Sequence, residues 1–133
     1  MALVHDSVTK CLVDVLPTVS GLQAIYVTTQ DGVELSTAFV EDWDSSNKAH
    51  LGTVFSFAVE RGSKFGLGNV ESATCTFEDA LYIHVSFLPI VVAFVGETSM
   101  KSSDVEKIVP LLKNLLEPVR SAIATVDADG DED

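Results

Sequence analysis

A chain of 133 residues with 47% hydrophobic content is one domain of ordinary size, long enough to bury a core without disulfide or metal staples. Eight basic against twenty acidic residues give a formal charge of −12, which argues against nucleic acid or anionic lipid as a direct ligand. Cys11 and Cys75 form no C-x-x-C pair and read as small buried hydrophobes of a reducing compartment.

The first ten residues, "MALVHDSVTK", lack the basic region and apolar run of a secretory signal, and "FLPIVVAFV" (Phe87 to Val95) falls short of the ~20 residues of a membrane span. No Gly follows Met1 and no Cys stands near the C-terminus, so neither myristoylation nor prenylation is signalled. The expectation is a soluble, cytoplasmic protein that reaches a membrane only through a partner.

In "SVTKCLVDVL", Val8, Cys11, Leu12 and Val15 recur at i, i+3, i+4 and i+7, which predicts an amphipathic helix from Ser7 to Leu16, ended by Pro17. Two strand-like runs follow, Leu22 to Thr28 and Val33 to Phe39. They flank Gln30-Asp31-Gly32, where Asp-Gly supplies the positive φ of a tight hairpin.

Beyond the polar connection "EDWDSSNK", the segment Lys48 to Phe65 places Leu51, Val54, Phe55, Ala58 and Val59 on one stripe, predicting a central helix. Its other side carries Thr53, Ser56, Glu60 and Lys64. Phe57 joins that side, about 240° from Leu51 at 100° per residue. An aromatic there, with Gly52 and Ser56 leaving room for close approach, suggests a protein-docking surface.

"RGSKFGLG" has the composition of a phosphate loop but the wrong placement. Phosphate cradles use the N–H groups at a helix N-terminus, whereas Gly62, Gly66 and Gly68 follow the central helix, where carbonyls and negative dipole face outwards. Lys64 precedes Gly66 instead of following the last glycine. The glycines are predicted to cap the helix and turn the chain.

Three further strands are predicted, Val70 to Phe77, Leu81 to Phe87 and Ile90 to Val95. In the second, Leu81, Ile83, Val85 and Phe87 alternate with Tyr82, His84 and Ser86. The third is apolar at every position and belongs mid-sheet between helical layers. A last helix, "SSDVEKIVPLLKNLLEPVRSAIATV", has a Ser103-x-x-Glu106 capping box and an apolar side from Val105 to Ile123. Pro110 and Pro118 are expected to kink or interrupt it.

Five of the carboxylates lie in the last seven residues, "DADGDED", leaving the rest of the chain at about −7. The run has the one-three-five spacing of a calcium loop, but its glycine is misplaced and the twelfth-position glutamate is missing. Residues 127–133 therefore read as a disordered acidic tail beside a single domain, 1–126. His5, His50 and His84 stand in different elements, and no hydrolase or metalloprotease motif surrounds the serines, cysteines or histidines. Glu41, Asp42 and Asp44 beside Trp43 read as a charged connection.

"SGLQAIYVTTQDGVEL", "GSKFGLG" and "LPIVVAFVG", in this order, resemble the roadblock/dynein light chain superfamily, and within it the MEK-partner scaffold subunits of the late-endosomal Ragulator complex. The resemblance covers Val13 to Ile123. It implies an α/β (α+β) fold with a five-stranded antiparallel sheet, order 2-1-5-4-3, the first and last helices on one face and the central helix on the other. It also implies that two subunits pair through the central helix and the strand after it.

The expected seam then comprises Gly52, Thr53, Ser56, Phe57, Glu60 and Lys64 of the helix, with Glu71, Ala73, Cys75 and Phe77 of the strand. The implied role is a non-enzymatic scaffold without cofactor. It would pair with a second roadblock-type subunit, be held at late endosomes or lysosomes by a lipidated partner, and support MAP kinase and Rag GTPase/TOR signalling. A homodimeric relative serving dynein or a small GTPase is the other reading within the superfamily. Pro118, the acidic tail and the N-terminal ten residues depart from the superfamily pattern.

Overall fold

The computed structural model describes residues 2–29, 33–41, 72–76, 80–87 and 89–131, with side chains from 7 to 124. The predicted central helix and the glycine-rich junction after it lie outside these residues. Helix α1 spans Ala2–Val15, longer at its start than the periodicity predicted. Val8, Leu12 and Val15 are buried, whereas Cys11, on the flank of the stripe, is only half-buried. Pro17 stands in a 3-10 turn, Leu16–Thr18, where its missing N–H costs no helix bond. Thr18 Oγ1 donates to the Val15 carbonyl at 2.6 Å, satisfying one of the acceptors a helix end leaves open.

Strands β1 (Leu22–Thr29) and β2 (Glu34–Phe39) are antiparallel. They close where Thr29 N–H donates to the Val33 carbonyl at 2.9 Å. β3 (Ser72–Thr76), β4 (Leu81–Phe87) and β5 (Ile90–Gly96) complete a sheet of order β2-β1-β5-β4-β3, all neighbours antiparallel. The uniformly apolar segment is the middle strand, and every residue of β5 is buried.

The alternation of β4 sorts its residues between two cores. Leu81 and Ile83 join Ile25, Val27, Val92 and Phe94 in the cluster that α1 closes with Leu12. Tyr82 joins Ala24, Tyr26, Ala93 and Val95 on the opposite face. Helix α2 (Ser102–Asp131) lies on the same face as α1, through Val105, Leu112 and Leu116. Each buried side chain of this size contributes about 1.5–3 kcal/mol relative to exposure.

Two expectations for α2 change. Neither proline interrupts it: Pro110 and Pro118 lie inside one continuous helix with their rings exposed, while buried Val105, Leu112 and Leu116 hold the turns on either side against the sheet. The helix also begins one residue before Ser103, with the Lys101 carbonyl accepting from the Asp104 and Val105 N–H groups at 3.1 and 3.3 Å. Ser103 is thus inside the first turn and does not act as the cap. At its other end α2 runs through Asp131, into the acidic segment assigned to the tail.

The β5–α2 connection is tight. Glu97 N–H donates to the Gly21 carbonyl at 2.9 Å, and a Cβ placed on Gly96 would stand 2.5 Å from that oxygen and 2.6 Å from Met100 Sδ. Gly21 itself has φ +85, a conformation that other residues adopt at a cost. The glycines of "SGL" and "FVG" thus fasten β1 to the end of β5.

Candidate partner-binding edge

Two strands end the sheet, and their sequences treat the exposed edge differently. An unpaired strand edge is normally blunted by charge, proline, a bulge or a covering element, because its free N–H and C=O groups otherwise recruit another strand. β2 uses several of these devices. It opens with Glu34, whose carboxylate accepts from Thr37 Oγ1. The β1–β2 register shifts between Val27 and Thr28, and α1 lies over the strand, with Thr9 Oγ1 2.8 Å from Ser36 Oγ.

β3 has neither charge nor proline in Ser72-Ala73-Thr74-Cys75-Thr76, and it pairs with β4 in an unbroken register. Ala73 and Cys75 stand opposite His84 and Tyr82, so they share the face away from α1 and α2. Cys75 packs half-buried against that second core. Ser72, Thr74 and Thr76 stand opposite Val85, Ile83 and Leu81 on the helix-covered face, yet all three are exposed. The helical layer thus stops at β4.

Of the predicted seam residues, Ala73 and Cys75 are placed together on this edge. Gly52, Thr53, Ser56, Phe57, Glu60, Lys64, Glu71 and Phe77 lie outside the described residues. So do the Asp31-Gly32 turn, Asp42, Trp43, Asp44 and His50. The cysteines correct the expectation of full burial. Cys75 has a neighbouring strand on one side only, and Cys11 lies at the margin of its helix stripe.

His84 is 1% exposed and stacks with Tyr82, with ring centroids 6.5 Å apart and planes at 20°. Glu41 is exposed. Among the described residues no three His, Cys, Asp or Glu side chains are grouped to hold a metal, and no helix is long and apolar enough to cross a membrane.

One cluster escaped the sequence reading. Phe87, the last residue of β4, carries Arg120 Cζ at 4.9 Å and Lys113 Nζ at 5.6 Å from its ring centroid. Arg120 Nε also donates to Glu117 Oε2 at 3.2 Å, and Ser121 Oγ to Glu117 Oε1 at 3.0 Å. The i, i+7 spacing of Lys113 and Arg120 put both on one side of α2, but nothing local announced an aromatic beneath them.

Residues 6–126 match the family model described as "Mitogen-activated protein kinase kinase 1 interacting". The Ragulator complex protein LAMTOR3 of Homo sapiens is 28% identical over 119 residues, spanning 89% of this chain and 96% of the relative. Among solved structures, the Roadblock/LC7 domain from Streptomyces avermitilis superposes with a TM-score of 0.69 at 17% identity, covering 86% of this chain and 95% of the other. The gliding protein MglB from Thermus thermophilus gives 0.73 at 9% identity, covering 90% and 92%. At such identities the two structures establish a common roadblock fold.

Proposed function

Because this chain belongs to the mitogen-activated protein kinase kinase 1 interacting family, we propose that it is a non-enzymatic scaffold subunit that pairs through β3 with a second roadblock-type subunit. The observation that carries this reading is the edge of β3, left uncovered among the described residues, at the opposite end of the sheet from a β2 edge that α1 overlies and a bulge interrupts. A partner strand laid along β3 would satisfy its outer backbone groups and extend the sheet. From the sequence, the central segment adds Gly52, Thr53, Ser56, Phe57, Glu60 and Lys64 to the seam, and Glu71 and Phe77 extend the strand.

The setting follows from the same kinship. The family description names a MAP kinase kinase, and the relatives carry the name of the Ragulator complex. The chain accordingly supports MAP kinase and Rag GTPase/TOR signalling at late endosomes or lysosomes, reaching the membrane through a lipidated partner. Deletion of the acidic residues 127–133 is expected to leave pairing unaffected.

Light scattering over a dilution series tests the pairing. A monomer, or an aggregate rescued by co-expression with a second roadblock subunit, supports the heterodimeric scaffold. A stable homodimer would replace it with the homodimeric reading. An adaptor without catalytic action leaves GTP turnover by a partner GTPase unchanged, and acceleration by this chain would overturn that part.

A further inference from the structure

The two faces of the sheet reach the β3 edge with different chemistry. On the helix-covered face the apolar residues Leu81, Ile83 and Val85 of β4 are followed on β3 by the exposed hydroxyls of Thr76, Thr74 and Ser72. On the other face two cross-strand rows run to the edge. One reads Tyr26, Ala93, His84, Ala73 and the other Ala24, Val95, Tyr82, Cys75.

The order of sizes along these rows has a packing reason. Neighbouring strands stand only about 4.8 Å apart, so a ring on one strand packs closely where the residues beside it are small. The row from Tyr26 to Ala73 alternates large and small at every step, and in the other row the Tyr82 ring stands between Val95 and Cys75. Tyr82 and His84 are buried, whereas Ala73 and Cys75 are half-buried. Both rows thus end on a small residue, and the alternation calls for a large one next.

Resting on the reading of β3 as the pairing edge, we propose that it receives a strand with bulky apolar side chains opposite Ala73 and Cys75 and a hydroxyl or small polar side chain opposite Thr74. The strand runs antiparallel, as does every pair in this sheet. Its register moves only in steps of two, since a slip of one residue would turn the bulky side chains onto the hydroxyl face. A second copy paired about Thr74 would match the faces but set Ala73 against Cys75 twice, small against small. A different subunit can supply the volume that a second copy lacks.

The test turns the chain into its own complement. In a pair of copies centred on Thr74, Ala73→Leu or Cys75→Leu sets each new leucine against a small residue of the other copy. Each variant of the full chain is expected to self-associate about tenfold more tightly than the unaltered chain, read by light scattering over a dilution series, with slowed amide exchange in β3. Thr74→Leu adds bulk on the hydroxyl face and should give no such gain. The two positions are altered separately, so misfolding of one variant, seen by circular dichroism, leaves the other to decide. A stable homodimer of the unaltered chain, an equal gain from Thr74→Leu, or leucine variants no more associated than the unaltered chain would each overturn the proposal while sparing the edge. Association that leaves amide exchange in β3 unchanged would overturn the edge itself, and the proposal with it.

Discussion

At one end of the sheet β2 lies beneath α1, starts with a carboxylate and is thrown out of regular register by a bulge. At the other end β3 offers five small or hydroxylated residues in regular pairing, with Ser72, Thr74 and Thr76 exposed and no helix of the described residues over them. Both are edge strands of one sheet, so the backbone chemistry they expose is the same. What differs is whether sequence and packing obstruct another strand, and that difference is the ground on which we propose β3 as the pairing edge.

The comparison holds only while the central strands hold, and the largest expected effect tests that condition. Phe94→Ala, at a site 1% exposed in β5, should cost about 3–5 kcal/mol, read as a lower urea midpoint. Loss of partner binding in that variant should follow unfolding. Should the chain stay fully folded and yet fail to pair, the seam would reach beyond the edge strand.

Gly96→Ala comes next. Its new Cβ would meet the Gly21 carbonyl and Met100, and overpacking of this kind costs about 1–3 kcal/mol. A fall in Tm without change in partner stoichiometry is expected, because Gly96 is flanked by β1 and β4 and takes no part in the outer edge of β3.

The decisive experiment is a proline pair. Adjacent amides in a strand point to opposite sides, so of Thr74→Pro and Cys75→Pro one removes an N–H bonded to β4 and the other an N–H facing outwards. The inward proline should destabilise the chain by about 3 kcal/mol, measured by denaturation. The outward one should leave stability within about 1 kcal/mol while abolishing co-purification with the partner subunit. Retained pairing in a folded outward variant would remove β3 from the interface.

On the covered edge, Thr9→Ala removes the bond to Ser36 and should cost about 0.5–1.5 kcal/mol with partner binding intact. If that small change impaired pairing, the covered edge would have to be counted in the interface. The sequence-derived counterpart, Phe57→Asp, is expected to leave the chain folded and to prevent pairing, as judged by light scattering.

Much of the architecture can be read from the linear chain because local pattern reports burial directly. Six consecutive apolar residues, Ile90 to Val95, required a strand covered on both sides, and β5 is that strand. The strict alternation of Leu81 to Phe87 predicted its division between two faces. The eight apolar positions of α2, Val105, Ile108, Val109, Leu112, Leu115, Leu116, Val119 and Ile123, all pack on one core. Ala73 and Cys75 fell on the expected edge, although their place in the seam awaits the proline pair.

The remainder depended on encounters between segments distant along the chain. Pro110 and Pro118 read as kinks or interruptions, but whether a helix continues through proline depends on which side is exposed and on what anchors its flanking turns. The order β2-β1-β5-β4-β3 put β3 outside, while the reach of α2 left its hydroxyls uncovered. The meeting of Phe87 with Lys113 and Arg120 spans 26 to 33 residues of sequence. Side-chain periodicity, set by backbone geometry, was thus legible from the sequence alone; neighbours across the sheet and under the helix were settled only by the packing of the whole chain.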